Sequence, residues 1–291
     1  MNTRLEDVRY TRYDGPRSHP ALAVISLARW SALSALGARK SWRAKFLPVS
    51  LALVAFLPAV AVLVLRALFG SRIPQLTDGL ELVPYRQYLT GVGVVIMLFA
   101  GILTPELLCP DRRDNVLSLY LSTALDRRSY VGGKILAAIV PLLGVTLAPV
   151  LLLFVGNTIF AEHALVYLGD HLLDLGRILA AGLLLATYYS LLGLAIASLT
   201  TRRAFALGAF AGACLISTAI SGALVFGLGL DRHLQLLGLA RIPLVATRSL
   251  YPGGGDGRED ALSSGWWWLA AGIVMVLSLA ILARRYSREQ P

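Results

Sequence analysis

Six long apolar stretches restrict what this sequence can fold into more than any other feature. They cover residues 46–69, 88–108, 131–160, 176–199, 205–228 and 265–283. A helix needs about 20 mostly apolar residues to cross the hydrocarbon core of a bilayer. Backbone amides and carbonyls cannot stay unpaired in hydrocarbon, and a helix pairs them within one segment. The stretches therefore predict an all-α integral membrane protein with six transmembrane helices.

The composition excludes an ordinary soluble domain. The chain is 56% hydrophobic and 15% charged, and its mean hydropathy is +0.68, whereas soluble domains average about 25% charged residues. No segment between the apolar stretches is long enough to form a soluble domain. We therefore predict a cytosolic N-terminal segment at residues 1–45 and a single membrane domain at residues 46–291.

Basic residues predict the orientation, because Lys and Arg are retained on the cytoplasmic side of a membrane. If the N terminus is inside, 19 of the 27 basic residues fall in cytosolic segments. Three tryptophans at 266–268 open the last stretch as an interfacial belt, and Arg284 and Arg285 close it. We therefore predict that both termini are cytoplasmic. The net charge of +10 follows from this asymmetry and from attraction to lipid, and does not indicate nucleic-acid binding.

Residues 21–40 form a further apolar pattern ahead of the first stretch. Near-helical spacing is shown by Leu22, Ile25, Ala28 or Arg29, Leu33 and Leu36, and basic residues follow them. This pattern predicts an amphipathic helix in the inner headgroup layer. The alternative is a helix that packs on the cytosolic side of the protein itself.

Residues 109–134 form a polar interruption between the second and third stretches. Pro110 is expected to end the second helix, and Asp114 offers a carboxylate that can cap a new one. A short helix of about three turns is predicted next, because apolar residues follow the spacing i, i+3, i+4, i+7, i+8; they are Leu117, Tyr120, Leu121, Ala124 and Leu125. We expect this helix to end at Asp126-Arg127-Arg128 and Lys134 to anchor the third span at the headgroups. The alternative is a plain basic loop, although a simple connector needs only a handful of residues.

This connection resembles the cytosolic loop of type-2 ABC transporter permeases, the membrane subunits of one class of ATP-driven exporters. In that family a short coupling helix lies between the second and third spans. The matching residues, in order, are Asp111-Arg112-Arg113, Leu121-Ser122-Thr123-Ala124-Leu125, Arg127-Arg128 and Gly133-Lys134. Ala124 stands where the family often has proline, and Asn115 stands where glycine is frequent. The sequence RYTRYDGPR at residues 9–17 is similar to the lead-in of some actinobacterial permeases, and the six-span layout covers nearly the whole chain.

The resemblance implies a division of labour in a bacterial plasma membrane. Two copies of a separate ATPase subunit would bind ATP and Mg²⁺, and a second permease chain, identical or homologous, would complete the path. This chain would hold no cofactor and would not be an enzyme, since Gly132-Gly133-Lys134 lacks the other residues of a phosphate-binding loop. The residues expected to contact the ATPase subunit are Asp111, Arg112, Arg113, Asp114, Leu117, Tyr120, Leu121, Arg127 and Arg128.

Few polar side chains interrupt the spans, and these are candidates for the path of a cargo. They are Asn157, Thr187, Tyr188, Tyr189, Ser190, Ser217, Thr218 and Ser221. Packing is the alternative role, because hydroxyls can bond carbonyls of their own helix. We expect no charge deep in a span, which favours a hydrophobic or amphipathic cargo. Glu106, at the inner end of the second span, is expected either to pair with a neighbouring basic residue or to reach the surface, and it is a candidate coupling acid.

Two further segments allow alternatives. Residues 229–264 are too charged and too broken by proline to span the membrane, so they either dip into the outer leaflet or cap the bundle. Ala204, Gly208 and Gly212 allow close approach between helices. Packing within one bundle is the favoured interpretation of these three residues, and a seam between two chains is the other.

Other functions find less support in the sequence. An intramembrane enzyme is disfavoured, because the spans contain neither paired acids nor an HExxH or GxSxG motif. We predict a solvated loop and no metal site around His163, Asp170, His171 and Asp174, because their spacing offers no compact set of ligands. The main alternative to an exporter is a permease-like module that transmits ATP-driven force to an extracytoplasmic partner without moving a cargo.

Overall fold

The computed structural model describes residues 20–38, 42–69, 85–114, 116, 126–161, 163–251 and 262–288. All regular secondary structure in these residues is helical, which confirms the all-α fold class. The α-helices are α1 (Pro20–Ala35), α2 (Trp42–Phe69), α3 (Tyr85–Arg113), α4 (Arg127–Phe160), α5 (Ala164–Asp170), α6 (Leu172–Ala197), α7 (Arg203–Gly222), α8 (Arg241–Arg248) and α9 (Ser264–Arg288). A π-helical turn (Ala223–Gly227) and a 3-10 helix (Arg232–Leu237) lie between α7 and α8.

Six of the described helices are long and apolar enough to cross a membrane, namely α2, α3, α4, α6, α7 and α9. They coincide with the six predicted stretches, and the chain is a multi-pass membrane protein. Two helix ends differ from the prediction. α3 continues through Pro110 to Arg113. Proline removes only one backbone hydrogen bond of the helix, and the next bond is intact, because the Asp114 amide donates to the Pro110 carbonyl at 2.9 Å. α4 begins at Arg127, so Arg127 and Arg128 open the third span instead of ending a preceding helix.

The bundle is built around α3 and α6. In the most apolar 18 residues of each helix, 72% of α3 and 78% of α6 are buried, whereas only 17% are buried in α2 and in α7. α4 packs against α3, α6 and α2, while α9 packs mainly against α6. Small residues allow these close approaches: a Cβ on Gly193 would lie 2.5 Å from Thr104 Oγ1, and a Cβ on Gly182 would lie 2.2 Å from Leu147 Cδ2. Thr104 of α3 and Tyr188, Tyr189 and Ser190 of α6 are buried in this interior.

Ala204 and Gly208 of α7 face away from the bundle, and Gly212 is half-buried. Ala204 and Gly208 are exposed, and a Cβ added to Gly208 would meet nothing within 4 Å. At Gly212 the nearest atom, Ile216 Cδ1 at 3.8 Å, belongs to the same helix. The expectation that these residues pack inside the bundle is therefore wrong, because helical spacing shows which residues share a face but not where that face points.

Helix α1 packs against α4 and α3 through one face. Leu27, Ala28 and Ala35 are buried there, and Leu27 Cδ2 would lie 2.9 Å from a Cβ on Gly133. The face of α1 that carries Leu27, Ala28 and Ala35 therefore packs on the protein itself, which was the alternative to a helix in the headgroup layer. Leu22, Ile25 and Trp30 are exposed, and their contact with lipid headgroups stays a prediction.

Candidate functional site

The predicted coupling helix lies mostly outside the described residues. Leu117, Tyr120 and Leu121 belong to that undescribed part, so the short helix stays a prediction. The described residues on either side show how α3 ends and how α4 begins. These two ends lie together with α1, the end of α6, the start of α7 and the end of α9. This region is called the α3–α4 end below.

A buried ion pair joins α3 to α4 at the α3–α4 end. Lys134 Nζ lies 2.7 Å from Asp111 Oδ2, and the two side chains are 5% and 16% exposed. The Tyr130 hydroxyl donates to the same carboxylate oxygen at 2.8 Å, and Lys134 donates to Ser31 Oγ of α1 at 3.0 Å. The Tyr130 ring also packs against the ring of Tyr286 from α9, with centroids 5.7 Å apart. Four helices therefore converge on one charged pair.

The positions of Lys134 and Asp111 differ from the sequence-based expectation. Lys134 was expected at the lipid headgroups and Asp111 was expected to leave the membrane, but both side chains turn into the bundle. Opposite charges attract more strongly in a low-dielectric interior, and each group here also makes a further hydrogen bond. Removing one partner of such a pair leaves a buried charge uncompensated. The pair therefore fixes the ends of α3 and α4 relative to each other.

Two further contacts connect the end of α3 to the turn between α6 and α7. Arg112 donates a hydrogen bond to the backbone carbonyl of Ser198. Arg203 Nη1 lies 2.7 Å from Glu106 Oε1, which confirms that Glu106 pairs with a basic residue. The coupling role of Glu106 stays a prediction. Through these contacts α3 is held to α6 and α7 as well as to α4.

Most of the other charged residues of the connection face outward. The side chains of Arg113 and Asp114 are 71% and 51% exposed and pair with each other at 3.0 Å. Arg128 is exposed, and Arg127 is half-buried. Among the described residues that were expected to contact an ATPase subunit, the outward-facing ones are thus Arg113, Asp114 and Arg128.

Residues 228–248 are called the re-entrant segment below. Residues 228–233 are exposed, and the part from Gly238 onward packs between the spans. Helix α8 packs against α3, α6 and α9, and Ile242, Val245 and Ala246 are buried. Leu244 Cδ2 would lie 2.6 Å from a Cβ on Gly93 of α3. The structure therefore places this part of the predicted outer segment inside the bundle, while residues 252–261 lie outside the described part.

Hydroxyl groups of α6 and α7 bind the backbone of the re-entrant segment. Tyr188 donates to the carbonyl of Leu239 at 2.9 Å, and Tyr189 donates to the carbonyl of Ala240 at 3.1 Å. The amide of Leu239 donates to Ser217 Oγ at 3.1 Å. Irregular backbone among membrane helices needs such partners, because no water is available in hydrocarbon.

The other predicted path residues have partners of different kinds. Thr218 donates to the Cys214 carbonyl at 2.7 Å, and Ser221 donates to the Thr218 carbonyl at 2.9 Å, both within α7. Thr187 is half-buried. These contacts agree with the packing alternative, and a role in a cargo path stays a prediction.

Asn157 belongs to a separate cluster. Its side chain accepts a hydrogen bond from Arg66 at 2.6 Å and donates to the Tyr85 hydroxyl at 3.3 Å. Asn157 therefore joins α4 to α2 and α3, and it does not share a site with Tyr188 or Ser217.

The sequence analysis does not identify two residues of these contacts, Ser31 and Tyr130, because no distinctive motif surrounds either of them. A signal for Tyr130 exists, since it precedes Lys134 by one helical turn and therefore shares its face. For Ser31 only the packing of α1 identifies the partner.

No group of three or more His, Cys, Asp and Glu side chains able to hold a metal ion occurs among the described residues. No protein-family model and no curated protein sequence matches the chain. Its function must therefore be inferred from its own residues and contacts.

Proposed function

We propose that the chain is the permease subunit of an ATP-driven exporter of the type-2 ABC class. In this proposal a separate ATPase subunit binds the connection between α3 and α4 from the cytoplasm. The single observation that supports it best is the buried Asp111–Lys134 pair at the base of that connection. The six apolar helices and the excess of basic residues in the predicted cytosolic segments agree with it.

The contacts of the α3–α4 end explain how a force on the connection would reach the spans. Asp111 precedes the connection and Lys134 follows it, so their pair makes the two helix ends move as one body. Arg112 and Glu106 extend this body to Ser198 and Arg203 at the turn between α6 and α7. A push applied at the connection would therefore reach α3, α4 and the turn that joins α6 to α7.

The proposed partner carries ATP and Mg²⁺, and this chain supplies the surface that it grips. Arg113 and Arg128 are exposed on either side of the connection. Arginine forms directed pairs with carboxylates, so acidic residues are expected at the matching surface of the ATPase subunit. Two ATPase subunits and a second permease chain complete the assembly, both termini are cytoplasmic, and the cargo is hydrophobic or amphipathic.

The test is co-purification of the tagged chain from its native membrane, followed by mass spectrometry. Arg113→Glu combined with Arg128→Glu should abolish recovery of an ATP-binding subunit while leaving membrane insertion intact. Arg112 is left unchanged, because its bond to the Ser198 carbonyl belongs to the bundle. Arg232→Glu, an exposed arginine beyond α7, is the matched control and should leave recovery unchanged. An ATPase that stays bound to the double variant contradicts the proposed surface.

A further inference from the structure

The backbone of the re-entrant segment lies against polar residues that are predicted to line a cargo path. Tyr188 and Ser217 both bind Leu239. A Cβ on Gly238 would lie 2.9 Å from Ser221 Oγ and 3.4 Å from Thr218 Cα, so the chain passes these residues in close contact. The polar side chains between α6 and α7 are therefore covered by the backbone of the same chain.

The bonds at Leu239 and Ala240 join α6 to α7 through the re-entrant segment. Leu239 donates to Ser217 of α7 and accepts from Tyr188 of α6, while Ala240 accepts from Tyr189 of α6. A displacement of α6 relative to α7 would strain these bonds together. Each bond contributes about 1 kcal/mol of net free energy, and the polar groups of a cargo can replace either partner. Such an attachment is suited to repeated opening and closing.

A change of backbone geometry precedes the re-entrant segment. The π-helical turn Ala223–Gly227 ends α7, and π-turns are frequent at functional sites. Gly229 follows with φ at +66°, a left-handed conformation that glycine adopts without strain. The segment is therefore joined to α7 by a break in regular helix and by a residue with unusual freedom, which is a suitable place for a hinge.

We propose that residues 228–248 form a movable closure between α6 and α7, held shut by Tyr188, Tyr189 and Ser217. This inference rests on the proposed export function and adds a gating element to it. In the open state the three hydroxyls face the path. Tyr188 and Tyr189 then donate to carbonyl or hydroxyl oxygens of a cargo, in place of the carbonyls of residues 239 and 240. Ser217 Oγ accepts from a hydroxyl or amide group of the cargo, in place of the amide of Leu239.

The first test is hydrogen exchange of the full chain in lipid nanodiscs, followed by mass spectrometry of peptides from residues 236–248. Tyr188→Phe with Tyr189→Phe should accelerate exchange in this segment by about 25-fold, since each lost hydrogen bond changes an opening equilibrium by about fivefold. Tyr251→Phe is the matched control, because the Tyr251 hydroxyl is buried with no hydrogen-bond partner among the described residues. Unchanged exchange in the double variant overturns the proposal, and so does an equal acceleration in peptides of α3.

The second test fixes the segment to α7 with a disulfide. Gly238→Cys and Ser221→Cys are introduced after Cys109→Ala and Cys214→Ala, and the distance at Gly238 permits the bond. In the complex purified from the native membrane, oxidation should reduce ATP turnover at least tenfold, and reduction should restore it. Equal turnover in the oxidised and reduced states overturns the closure. If no ATPase co-purifies, the proposed function fails, while the exchange result still decides whether these hydroxyls hold a separately opening segment.

Discussion

Replacing one partner of the buried Asp111–Lys134 pair should lower the stability of the fold strongly, and replacing both partners should lower it little. Lys134→Met leaves the Asp111 carboxylate, which is 16% exposed, without its cation. Removing one partner of a buried pair costs about 3–5 kcal/mol. At about 2–4 °C per kcal/mol for a large domain, the melting temperature should fall by about 6–20 °C. Lys134→Met combined with Asp111→Asn should recover most of this loss, because no charge is left buried.

Thermal unfolding followed by tryptophan fluorescence in nanodiscs measures this difference. Arg113→Met is the matched control, because Arg113 also pairs with an aspartate but is 71% exposed. Exposed pairs contribute about 0–1 kcal/mol, so this variant should melt close to the parent. A Lys134→Met variant as stable as Arg113→Met would refute the reasoning. A double variant no more stable than Lys134→Met would refute it equally.

Two other substitutions test the packing and the proposed coupling. Gly182→Ala should destabilise the chain by about 1–3 kcal/mol, because the new Cβ would lie 2.2 Å from Leu147 Cδ2. Gly144→Ala is the matched control: a Cβ there meets nothing within 4 Å, so this change should stabilise α4 by up to about 1 kcal/mol. Thermal melting compares the two variants. Glu106→Gln removes a partly exposed pair with Arg203 and should shift the melting temperature little. In the complex it should lower the stimulation of ATP hydrolysis, and unchanged stimulation removes Glu106 from the coupling path.

The spans were predictable from the sequence because bilayer thickness imposes one length on every crossing helix. Each predicted stretch coincides with a described helix, and the boundaries differ by a few residues. Pro110 shows where this reasoning fails. Proline disfavours a helix locally, but the intact bond from Asp114 and the packing of α3 outweigh the single missing bond.

The charged residues at the α3–α4 end show a different limit. The sequence places Asp111 and Lys134 near a membrane boundary, where water or headgroups are the default partners. It does not show that the two side chains face each other across neighbouring helices. That pairing depends on how α3, α4 and α1 pack, which is a long-range property of the fold.

The re-entrant segment shows the same limit for neutral polar groups. Its sequence excludes a full span but does not decide between dipping and capping. Tyr188 and Ser217 were found as polar residues inside spans, yet their partner is the backbone of residue 239. A backbone partner has no signature in a sequence, because every residue carries the same amide and carbonyl.

Photo-crosslinking at the predicted coupling helix tests most directly whether an ATPase subunit binds there. A benzophenone amino acid replaces Leu121 in the chain in its native membrane. The same substitution at Leu165, which is 85% exposed beyond α4, serves as the control. Only position 121 is expected to capture a soluble protein with an ATP-binding phosphate loop. Capture of lipid alone at position 121, or labelling of a Leu121→Cys variant by a membrane-impermeant thiol reagent from outside the cell, would contradict the proposed binding of an ATPase subunit.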